Sequence, residues 1–420
     1  MEMLVPAAGG LFLVTLTGYL GFLVAREVVT ARAVQTVAEA ERRMLSARIT
    51  ELAERRRREQ EKAERTWDGF RKFVVTRKEM EATDICSFYL EPHDRRPLPV
   101  FSPGQYLTFR LTIPGQAKPV IRCYSLSDAP NPKYFRVTIK RIGPPPGKPD
   151  GLPGLASSHF HEEIEVGNIL DVKAPAGQFW LEPTATTPVV LIGGGIGLTP
   201  VLSMLEAIVQ ADARREVWFF YGLRNRQEHV MARHLMRIAA QNPNIGLHVC
   251  YSDPTPECLP DADYQHGERV SIDLLRRVLP SNAPHFYLCG PPPMMQALVE
   301  GLAAWGVPPE RVHHEAFGPA SVKSTAATPA SAPAAGSPVE IVFARSSRQC
   351  LWDGRSTLLE IAEANGVQLD FGCRAGNCGT CLTALKTGEV DYPSPPGMAV
   401  EAGSCLACVA VPKGKVTLDA

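Results

Sequence analysis

Residues 371–381 read Phe-Gly-Cys-Arg-Ala-Gly-Asn-Cys-Gly-Thr-Cys, which places Cys373, Cys378 and Cys381 in a C-x4-C-x2-C run. This spacing is typical of a [2Fe–2S] cluster, in which four thiolates hold two irons. The small residues of the run let the backbone curl around a cluster and direct N–H groups at its sulfurs, which tunes its potential. The run therefore predicts a one-electron centre, and such a centre needs an electron source.

The fourth ligand is open at this point, because Cys405 and Cys408 both follow the run. The Cys378-Gly-Thr-Cys381 pair could also belong to a zinc knuckle or a redox C-x-x-C site. The additional C-x4-C, the preceding Phe-Gly and the closing Cys-Val-Ala favour the cluster. The other cysteines are scattered, which argues against a disulfide framework, and a labile thiolate cluster predicts a reducing compartment.

Length and charge limit the remaining possibilities. At 420 residues the chain exceeds a single core, and about two to four domains are expected. Lys and Arg together number 44, as do Asp and Glu, so bulk charge provides no attraction to nucleic acid. No nucleic-acid partner is expected.

The first 25 residues predict a transmembrane anchor. Residues 3–25 carry no charge, and as a helix they would span roughly 34 Å, enough for a hydrocarbon core of about 30 Å. A signal peptide is disfavoured, because no basic residue precedes the apolar run and no clear A-x-A cleavage site follows it. A buried core helix is disfavoured by the all-round apolar character. Arg26 and Arg32 then predict a single-pass protein with its redox domains on the cytoplasmic side.

Five segments follow the anchor. Residues 26–66 are rich in Ala, Glu and Arg with i,i+4 Glu–Arg pairs, which predicts a charged helical stalk. Short alternating apolar runs predict an antiparallel β-barrel at 67–186. Alternating strands and helices predict an α/β doubly wound parallel sheet at 187–318. A Pro/Ala/Ser-rich flexible linker is expected at 319–338. A compact α+β unit of the β-grasp type is expected at 339–420.

A strand is also expected at Cys408–Val411 within this last unit, on the basis of its apolar residues.

Two segments of the predicted barrel carry groups that suit a flat, phosphorylated cofactor. Arg122-Cys-Tyr124-Ser125 ends a predicted strand. A guanidinium can neutralise a pyrophosphate, a tyrosine ring can pack on a flat cofactor, and a serine hydroxyl can reach a ring nitrogen. Gly154-Leu-Ala-Ser157 could offer the amides and hydroxyls of a helix N-terminus to a phosphate.

A glycine loop follows the first strand of the predicted parallel sheet. Its sequence is Gly193-Gly194-Gly195-Ile-Gly197-Leu-Thr199-Pro, and it opens a predicted helix. Glycines let a pyrophosphate approach the backbone, and the helix dipole favours its negative charge. The loop predicts a dinucleotide site.

With these motifs the chain resembles the ferredoxin–NADP reductase superfamily. R-x-Y-S and G-x-x-S-x-x-F-H are its flavin signatures, and G-G-G-x-G-x-T-P resembles its nicotinamide dinucleotide loop. The resemblance implies that Arg122 and Ser157 hold the FAD pyrophosphate. It also implies that Tyr124 and Ser125 contact the isoalloxazine and ribityl groups, with Lys140 nearby. The G-x-x-S motif favours FAD over FMN.

Two later motifs extend the resemblance. Cys289-Gly290-Pro291 matches the family's C-G-P-x-x-M-M segment, which implies that the Cys289 thiol lies beside the nicotinamide at hydride transfer; a buried structural cysteine is the alternative. Glu315-Ala-Phe317 resembles the closing E-x-F-G-P, which implies that both residues lie near the flavin ring. The expected catalytic residues are Ser125, Cys289 and Glu315.

The family pattern also bears on the fourth cluster ligand and on the choice between NADH and NADPH. Leu406-Ala-Cys408 resembles the closing L-x-C of plant-type ferredoxins, which implies that Cys408 is the fourth ligand and Cys405 a bystander. Arg224 and Arg226 could bind a 2′-phosphate. Their segment is nevertheless similar to NADH-using flavohaemoglobin and oxygenase-reductase branches. NADH is therefore expected, with NADPH as the alternative.

The domain order of flavin, nicotinamide and ferredoxin is similar to that of oxygenase reductases, hybrid-cluster-protein reductase and phenylacetyl-CoA epoxidase reductase. It implies a membrane-anchored reductase that passes electrons from NADH through FAD and the [2Fe–2S] cluster to a membrane-associated acceptor protein, such as an oxygenase or desaturase. The N-terminal helix would contact the lipid bilayer. Three alternatives stay open: a ferric, flavin or quinone reductase, a redox subunit of a larger membrane complex, and a non-enzymatic assembly subunit.

Overall fold

The chain divides into two compact units, Met1–Arg65 and Thr66–Ala420. The computed structural model describes residues 27, 42, 44–46, 48, 66–144, 147, 150–317, 339–372, 374, 376, 379–393, 396 and 400–420. In this part of the chain, no helix combines the length and the apolar character needed to cross a bilayer. Residues 27, 42, 44–46 and 48 of the predicted stalk are helical, whereas Thr66 is not. The predicted anchor and linker lie outside the described residues and stay predictions.

Antiparallel strands form the first domain of the second unit. They are β1 (Arg71–Ala82), β2 (Ile85–Pro92), β3 (Tyr106–Leu111), β4 (Val120–Ser125), β5 (Phe135–Lys140) and β6 (Ile169–Val172). They form one six-stranded sheet in the order β4-β3-β6-β1-β2-β5. Side chains such as Phe73, Phe88 and Phe109 fill its core. The predicted antiparallel strand arrangement of the flavin domain is therefore confirmed.

The two edges of this sheet meet just beyond β4, as the predicted barrel requires. Leu126 forms an antiparallel bridge with Val137, and the Ser127 N–H donates to the Arg136 carbonyl at 2.9 Å. Helix α1 (Leu155–Glu162) places Phe160 in the same core. Strand β4, which carries the predicted flavin motif, thereby pairs within the sheet and also lies next to this helix.

Parallel strands form the next domain, which confirms the predicted α/β sheet. Its strands are β7 (Val189–Gly194), β8 (Val217–Leu223), β9 (Ile245–Tyr251), β10 (His285–Gly290) and β11 (Val312–Ala316). They pair in the order β11-β10-β7-β8-β9. The helices are α2 (Leu198–Gln210), α3 (Ala232–Gln241), α4 (Ile272–Val278) and α5 (Pro292–Ala304). The strand-and-helix alternation had not predicted β11.

Alternate residues of the central strands face two separate cores. On β7, Val189 and Leu191 belong to the core that contains α2 and α3 residues, whereas Val190 and Ile192 belong to the core that contains α4 and α5 residues. A strand covered on both faces has apolar residues at successive positions, which explains the uninterrupted Val-Val-Leu-Ile run.

The last domain is a mixed sheet with one helix among its described residues. Its elements are β12 (Glu340–Phe343), β13 (Arg348–Leu351), α6 (Leu358–Ala364), β14 (Leu382–Thr387), β15 (Val390–Asp391), β16 (Ser404–Leu406), β17 (Val411–Pro412) and β18 (Val416–Leu418). The main sheet has the order β13-β12-β18-β14-β16. Thr357 caps α6, since its hydroxyl accepts from the Glu360 N–H and the Glu360 carboxylate accepts from the Thr357 N–H.

The predicted strand at Cys408–Val411 is wrong. Strands β16 and β17 flank a turn at this point, because the N–H groups of Val409 and Ala410 both donate to the Leu406 carbonyl at 3.0 Å. Apolar residues in a buried turn have the same local pattern as a short buried strand. The turn removes Cys408 from the sheet.

Buried charges join the flavin and nucleotide domains. Arg136 on β5 contacts Glu206 on α2 at 3.2 Å and Asp128 at 3.7 Å. His234 on α3 contacts the same Glu206 carboxylate at 2.7 Å. The Ser203 hydroxyl donates to the Asp128 carbonyl at 2.7 Å. A buried guanidinium is stable here because carboxylates from both domains neutralise it.

The surroundings shift the pKa values of the two carboxyl groups in this network in opposite directions. Burial, followed by the neighbouring Glu206, raises the pKa of Asp128 to about 7. Burial also acts to raise the pKa of Glu206, but hydrogen bonds from His234 and Asp128 and the charge of Arg136 outweigh it and lower that pKa to about 2. At moderately acid pH the network therefore holds one carboxylate and one protonated carboxyl.

We predict that Asp128→Asn removes a pH-dependent loss of stability. The folded state binds the Asp128 proton more tightly than the unfolded state, so stability falls as pH rises from about 4 to about 7. The asparagine variant should melt at least about 2–4 °C above wild type at pH 8, which corresponds to about 1 kcal/mol, and should lose that advantage near pH 4. Asp150→Asn, at an exposed position, is the control. Equal melting curves for wild type and Asp128→Asn at pH 8 would contradict the assignment.

Candidate flavin, nucleotide and cluster sites

Strand β4 presents the predicted flavin residues at its C-terminal half. The Tyr124 ring packs edge-on against Phe160 of α1, with 5.2 Å between centroids, and burial raises the pKa of its hydroxyl. Ser125 is buried at the strand end, opposite Tyr106 of β3. The tyrosine thus holds its orientation through packing, which suits a side chain that must present a surface to a flat ring.

The Arg122 guanidinium has an environment that suits an anion. Its Nη1 donates to the Ile121 carbonyl at 2.7 Å, and burial lowers its pKa. Among the described residues no carboxylate forms an ion pair with it. A partly desolvated cation without an acidic partner fits a bound pyrophosphate, so the residues present are compatible with FAD.

The predicted phosphate segment begins helix α1 at Gly154. The Ser157 hydroxyl donates to the Gly154 carbonyl at 3.0 Å and accepts from the Ile142 N–H at 3.1 Å. Its polar groups thus stabilise the turn. The neighbouring Ser158 hydroxyl, which belongs to the same predicted phosphate segment, is buried and has no hydrogen-bond partner in the described structure, so it is a second candidate.

The predicted Lys140 lies at the end of β5, where its Nζ is 3.5 Å from the Glu228 carboxylate of the nucleotide domain. Its proximity to a flavin stays a prediction.

The glycine loop packs tightly against the Cys289 segment. A Cβ on Gly197 would lie 2.3 Å from the Cys289 carbonyl oxygen, and one on Gly194 would lie 2.7 Å from the Met294 sulfur. Gly195, in contrast, has a φ of +53° and nothing within 4 Å of its Cβ position. The loop is therefore closed on the protein side and open at Gly195, where a phosphate can approach the backbone.

Parallel register brings three of the predicted motifs together. Cys289 on β10 pairs with Gly193 on β7 on one side and with Glu315 on β11 on the other. Thr199, which follows in α2, is buried, and its hydroxyl donates to the Ile196 carbonyl at 3.1 Å. Because all these strands run in the same direction, their carboxyl ends form one edge, which is where parallel sheets bind ligands.

Cys289 is fully enclosed by this packing. Its exposure is 0 %, and burial, followed by the Glu315 charge, raises its thiol pKa well above the usual value. The side chain is thus a neutral thiol at physiological pH. A neutral, polarisable group can pack beside a nicotinamide without adding charge.

The segment after β8 carries the arginines that bear on nucleotide preference. The Arg226 side chain lies 3.6 Å from the Asp263 carboxylate. The Asn225 side chain accepts from the Gln227 N–H and begins a short 3₁₀ turn, Arg226–Glu228. One of the two predicted arginines therefore already has an acidic partner.

Two of the predicted cluster ligands lie side by side. The sulfur atoms of Cys381 and Cys408 are 3.1 Å apart, and both side chains are buried. Cys405 lies on β16 opposite Thr383 of β14, and burial, followed by Cys381, raises its pKa to about 12. Cys373 and Cys378 lie outside the described residues. The adjacent sulfurs fit a thiolate-held cluster and support Cys408 as the fourth ligand.

Two other contacts could not be seen in the sequence motifs. The Arg136–Glu206 pair joins domains, and the Arg122 guanidinium lies 5.5 Å from the centroid of the Phe371 ring in the cluster loop. No local sequence pattern predicts either contact, because the partners are far apart in sequence.

Comparison with known proteins agrees with this geometry. Residues 72–180 match the oxidoreductase FAD-binding domain, 191–300 the oxidoreductase NAD-binding domain, and 344–413 the 2Fe-2S iron-sulfur cluster binding domain. The chain is 41% identical over 254 residues to a flavohemoprotein of Halalkalibacterium halodurans and 38% identical over 255 residues to one of Rhizobium meliloti. These alignments cover 60% of this chain and 61% and 62% of those proteins, so the chain spans about three fifths of their length.

Solved structures extend the likeness to the cluster domain. The FAD/NAD-binding domain of nitric oxide dioxygenase from Vibrio cholerae is 34% identical with a TM-score of 0.53, covering 59% of this chain and 99% of that chain. Phthalate dioxygenase reductase is 25% identical with a TM-score of 0.50, covering 84% of this chain and 98% of that chain. A type IV self-sufficient cytochrome P450 monooxygenase is 25% identical with a TM-score of 0.55, and the match covers 84% of this chain and 41% of that chain.

We predict that Gly197→Ala impairs reduction by the dinucleotide. The new methyl group would overlap the Cys289 carbonyl, so either the loop or the strand end must shift. A displacement of about 1 Å can cost about 100-fold in rate, and we expect a loss of this order in kcat/KM for NADH-driven flavin bleaching. Gly143→Ala, with nothing within 4 Å of its Cβ position, is the matched control. Wild-type kinetics in a folded Gly197→Ala protein would disprove the close-packing argument.

Proposed function

We propose that this chain, an oxidoreductase with the FAD-binding, NAD-binding and 2Fe–2S domains of the ferredoxin reductase family, passes electrons from NADH to a separate acceptor protein. The observation that carries the relay is the contact of Phe371, which precedes the predicted cluster ligands, with strand β4. Phe371 precedes Cys373 by two residues, and its ring lies 5.5 Å from the Arg122 guanidinium. Flavin and cluster sites are thereby neighbours within one compact unit.

The proposed roles of the residues follow from the geometry. The open side of Gly195 and the start of α2 bind the dinucleotide pyrophosphate, and Cys289 beside Glu315 orients the nicotinamide. Arg122 neutralises the flavin pyrophosphate, while Tyr124 and Ser125 orient the ring. When bound, FAD accepts a hydride as an electron pair and releases the electrons singly to the cluster. Each NADH oxidised to NAD⁺ yields one proton and two electrons, which reduce two one-electron acceptors.

The proposed acceptor is a redox protein of the oxygenase or desaturase kind. This chain covers 98% of phthalate dioxygenase reductase, a modular structure for electron transfer from pyridine nucleotides to [2Fe–2S]. A self-sufficient cytochrome P450 monooxygenase is also similar. Both relatives support a role in supplying electrons for oxygen chemistry.

NADH is the proposed reductant. A 2′-phosphate would need free arginines after β8, and Arg226 lies beside Asp263 instead. We further propose that residues 1–25 anchor the chain in a membrane, with the redox domains on the cytoplasmic side. Support for the anchor comes from the uncharged apolar run and the arginines that follow it.

We predict that Cys408→Ala separates the two halves of the relay. Loss of a ligand should remove the cluster absorbance and lower NADH-driven reduction of an added one-electron acceptor, such as cytochrome c, at least about tenfold. NADH should still bleach the flavin, and NADPH should do so more slowly. The matched control is Cys405→Ala, which should keep the cluster. Retention of the cluster in Cys408→Ala, or loss of flavin bleaching together with acceptor reduction, would count against the relay.

We also predict that residues 1–25 determine membrane association. The intact chain should sediment with lipid vesicles and stay bound after a wash with concentrated salt, because apolar insertion is insensitive to screening. A chain that lacks residues 1–25 should remain in the supernatant while it keeps both chromophores. Equal partitioning of the two proteins would disprove the anchor without affecting the relay.

A further inference from the structure

The Phe371 side chain is near two guanidinium groups from different domains. Arg122 on β4 of the flavin domain is 5.5 Å from the ring centroid, and Arg374 of the cluster loop is 4.0 Å from it. Both separations are within the range of cation–π attraction. One aromatic ring thus joins the cluster loop to the flavin-binding strand.

Each guanidinium is fixed within its own domain. Arg374 forms two hydrogen bonds to the Glu363 carboxylate on α6, one of them from Nη1 at 2.9 Å. Arg122 donates to the Ile121 carbonyl at 2.7 Å. Because both cations are anchored by hydrogen bonds, the ring that contacts them is restricted in position. The contact therefore fixes where Phe371 lies relative to β4.

A second contact at this interface is weaker. Lys118 and Asp370 are 3.7 Å apart, and their side chains are 79% and 73% exposed. Exposed ion pairs at such separations contribute little to association, since water and salt screen them. Phe371 and Arg122 are each only partly exposed, so their contact is better shielded from solvent.

The charge balance of Arg122 connects this contact with the flavin site. Arg122 and Arg374 repel each other, and the repulsion diminishes when an anion binds Arg122. A planar guanidinium can hold an anion with its N–H edge while its face contacts an aromatic ring. The same side chain can therefore serve the pyrophosphate and the domain contact together.

We infer that Phe371 is a positioning residue for electron transfer from flavin to cluster: its ring, in contact with Arg122 and Arg374, seats the ferredoxin domain on strand β4. The inference rests on the proposed function. The sequence of residues 319–338 predicts a flexible linker, and a domain attached in this way explores many orientations. Electron transfer slows steeply as donor and acceptor separate. A specific contact that favours the docked arrangement keeps the transfer fast at the effective concentration that the linker provides.

The test compares Phe371→Leu with Phe371→Tyr in the full chain loaded with FAD and cluster. Leucine keeps an apolar side chain but removes the aromatic face, whereas tyrosine keeps the face. Stopped-flow absorbance after mixing with NADH follows flavin bleaching and cluster reduction separately. We expect Phe371→Leu to slow cluster reduction at least about tenfold with unchanged flavin bleaching, and Phe371→Tyr to restore it. Lys118→Gln, at the same interface, should behave like wild type.

A second readout does not depend on the cluster or on turnover. Amide hydrogen exchange of residues 120–125 should be faster in Phe371→Leu than in wild type and Phe371→Tyr, because the covering domain is released. Wild-type cluster reduction in Phe371→Leu, or unchanged exchange at β4, would overturn the inference. A wild-type cluster that NADH fails to reduce would instead overturn the proposed function.

Discussion

The close approach of the glycine loop to the Cys289 strand is the constraint on which the nucleotide site depends. No side chain fits between Gly197 and the Cys289 carbonyl, so the loop that leads into α2 lies directly on the end of β10. Parallel pairing then fixes Gly193, Cys289 and Glu315 in one row. A neutral thiol and an acidic residue therefore lie on adjacent strands at the strand ends where the proposed dinucleotide site is found.

Contacts between domains connect the nucleotide domain with the flavin domain, and the flavin domain with the ferredoxin domain. Arg136 and Glu206 join the flavin domain to helix α2, and the Phe371 ring contacts Arg122 on strand β4. The first contact is a buried charge pair and tolerates little change, whereas the second is a partly exposed ring contact. This difference suits an arrangement in which the flavin and nucleotide domains stay together and the ferredoxin domain can separate toward an acceptor.

Local sequence patterns predicted most of the fold and the motifs of the site. The cysteine spacing, the glycine loop and the alternation of strands with helices each reflect chemistry within a few residues, and family matches now support all three domains. The pattern misassigned Cys408–Val411, because a buried turn and a buried strand have the same apolar residues. It also missed β6, β11, β13, β15 and β16, and it could not show that Ser157 bonds to its own turn or that Phe371 contacts Arg122. Such facts depend on tertiary packing, which pairs residues far apart in sequence.

Electron paramagnetic resonance of the intact, anaerobic protein tests the central claim most directly. The account predicts that NADH alone, added to protein with FAD and its full iron content, bleaches the flavin and produces the signal of a reduced [2Fe–2S] cluster. A bleached flavin with no paramagnetic cluster signal, in protein whose iron is intact, would contradict it.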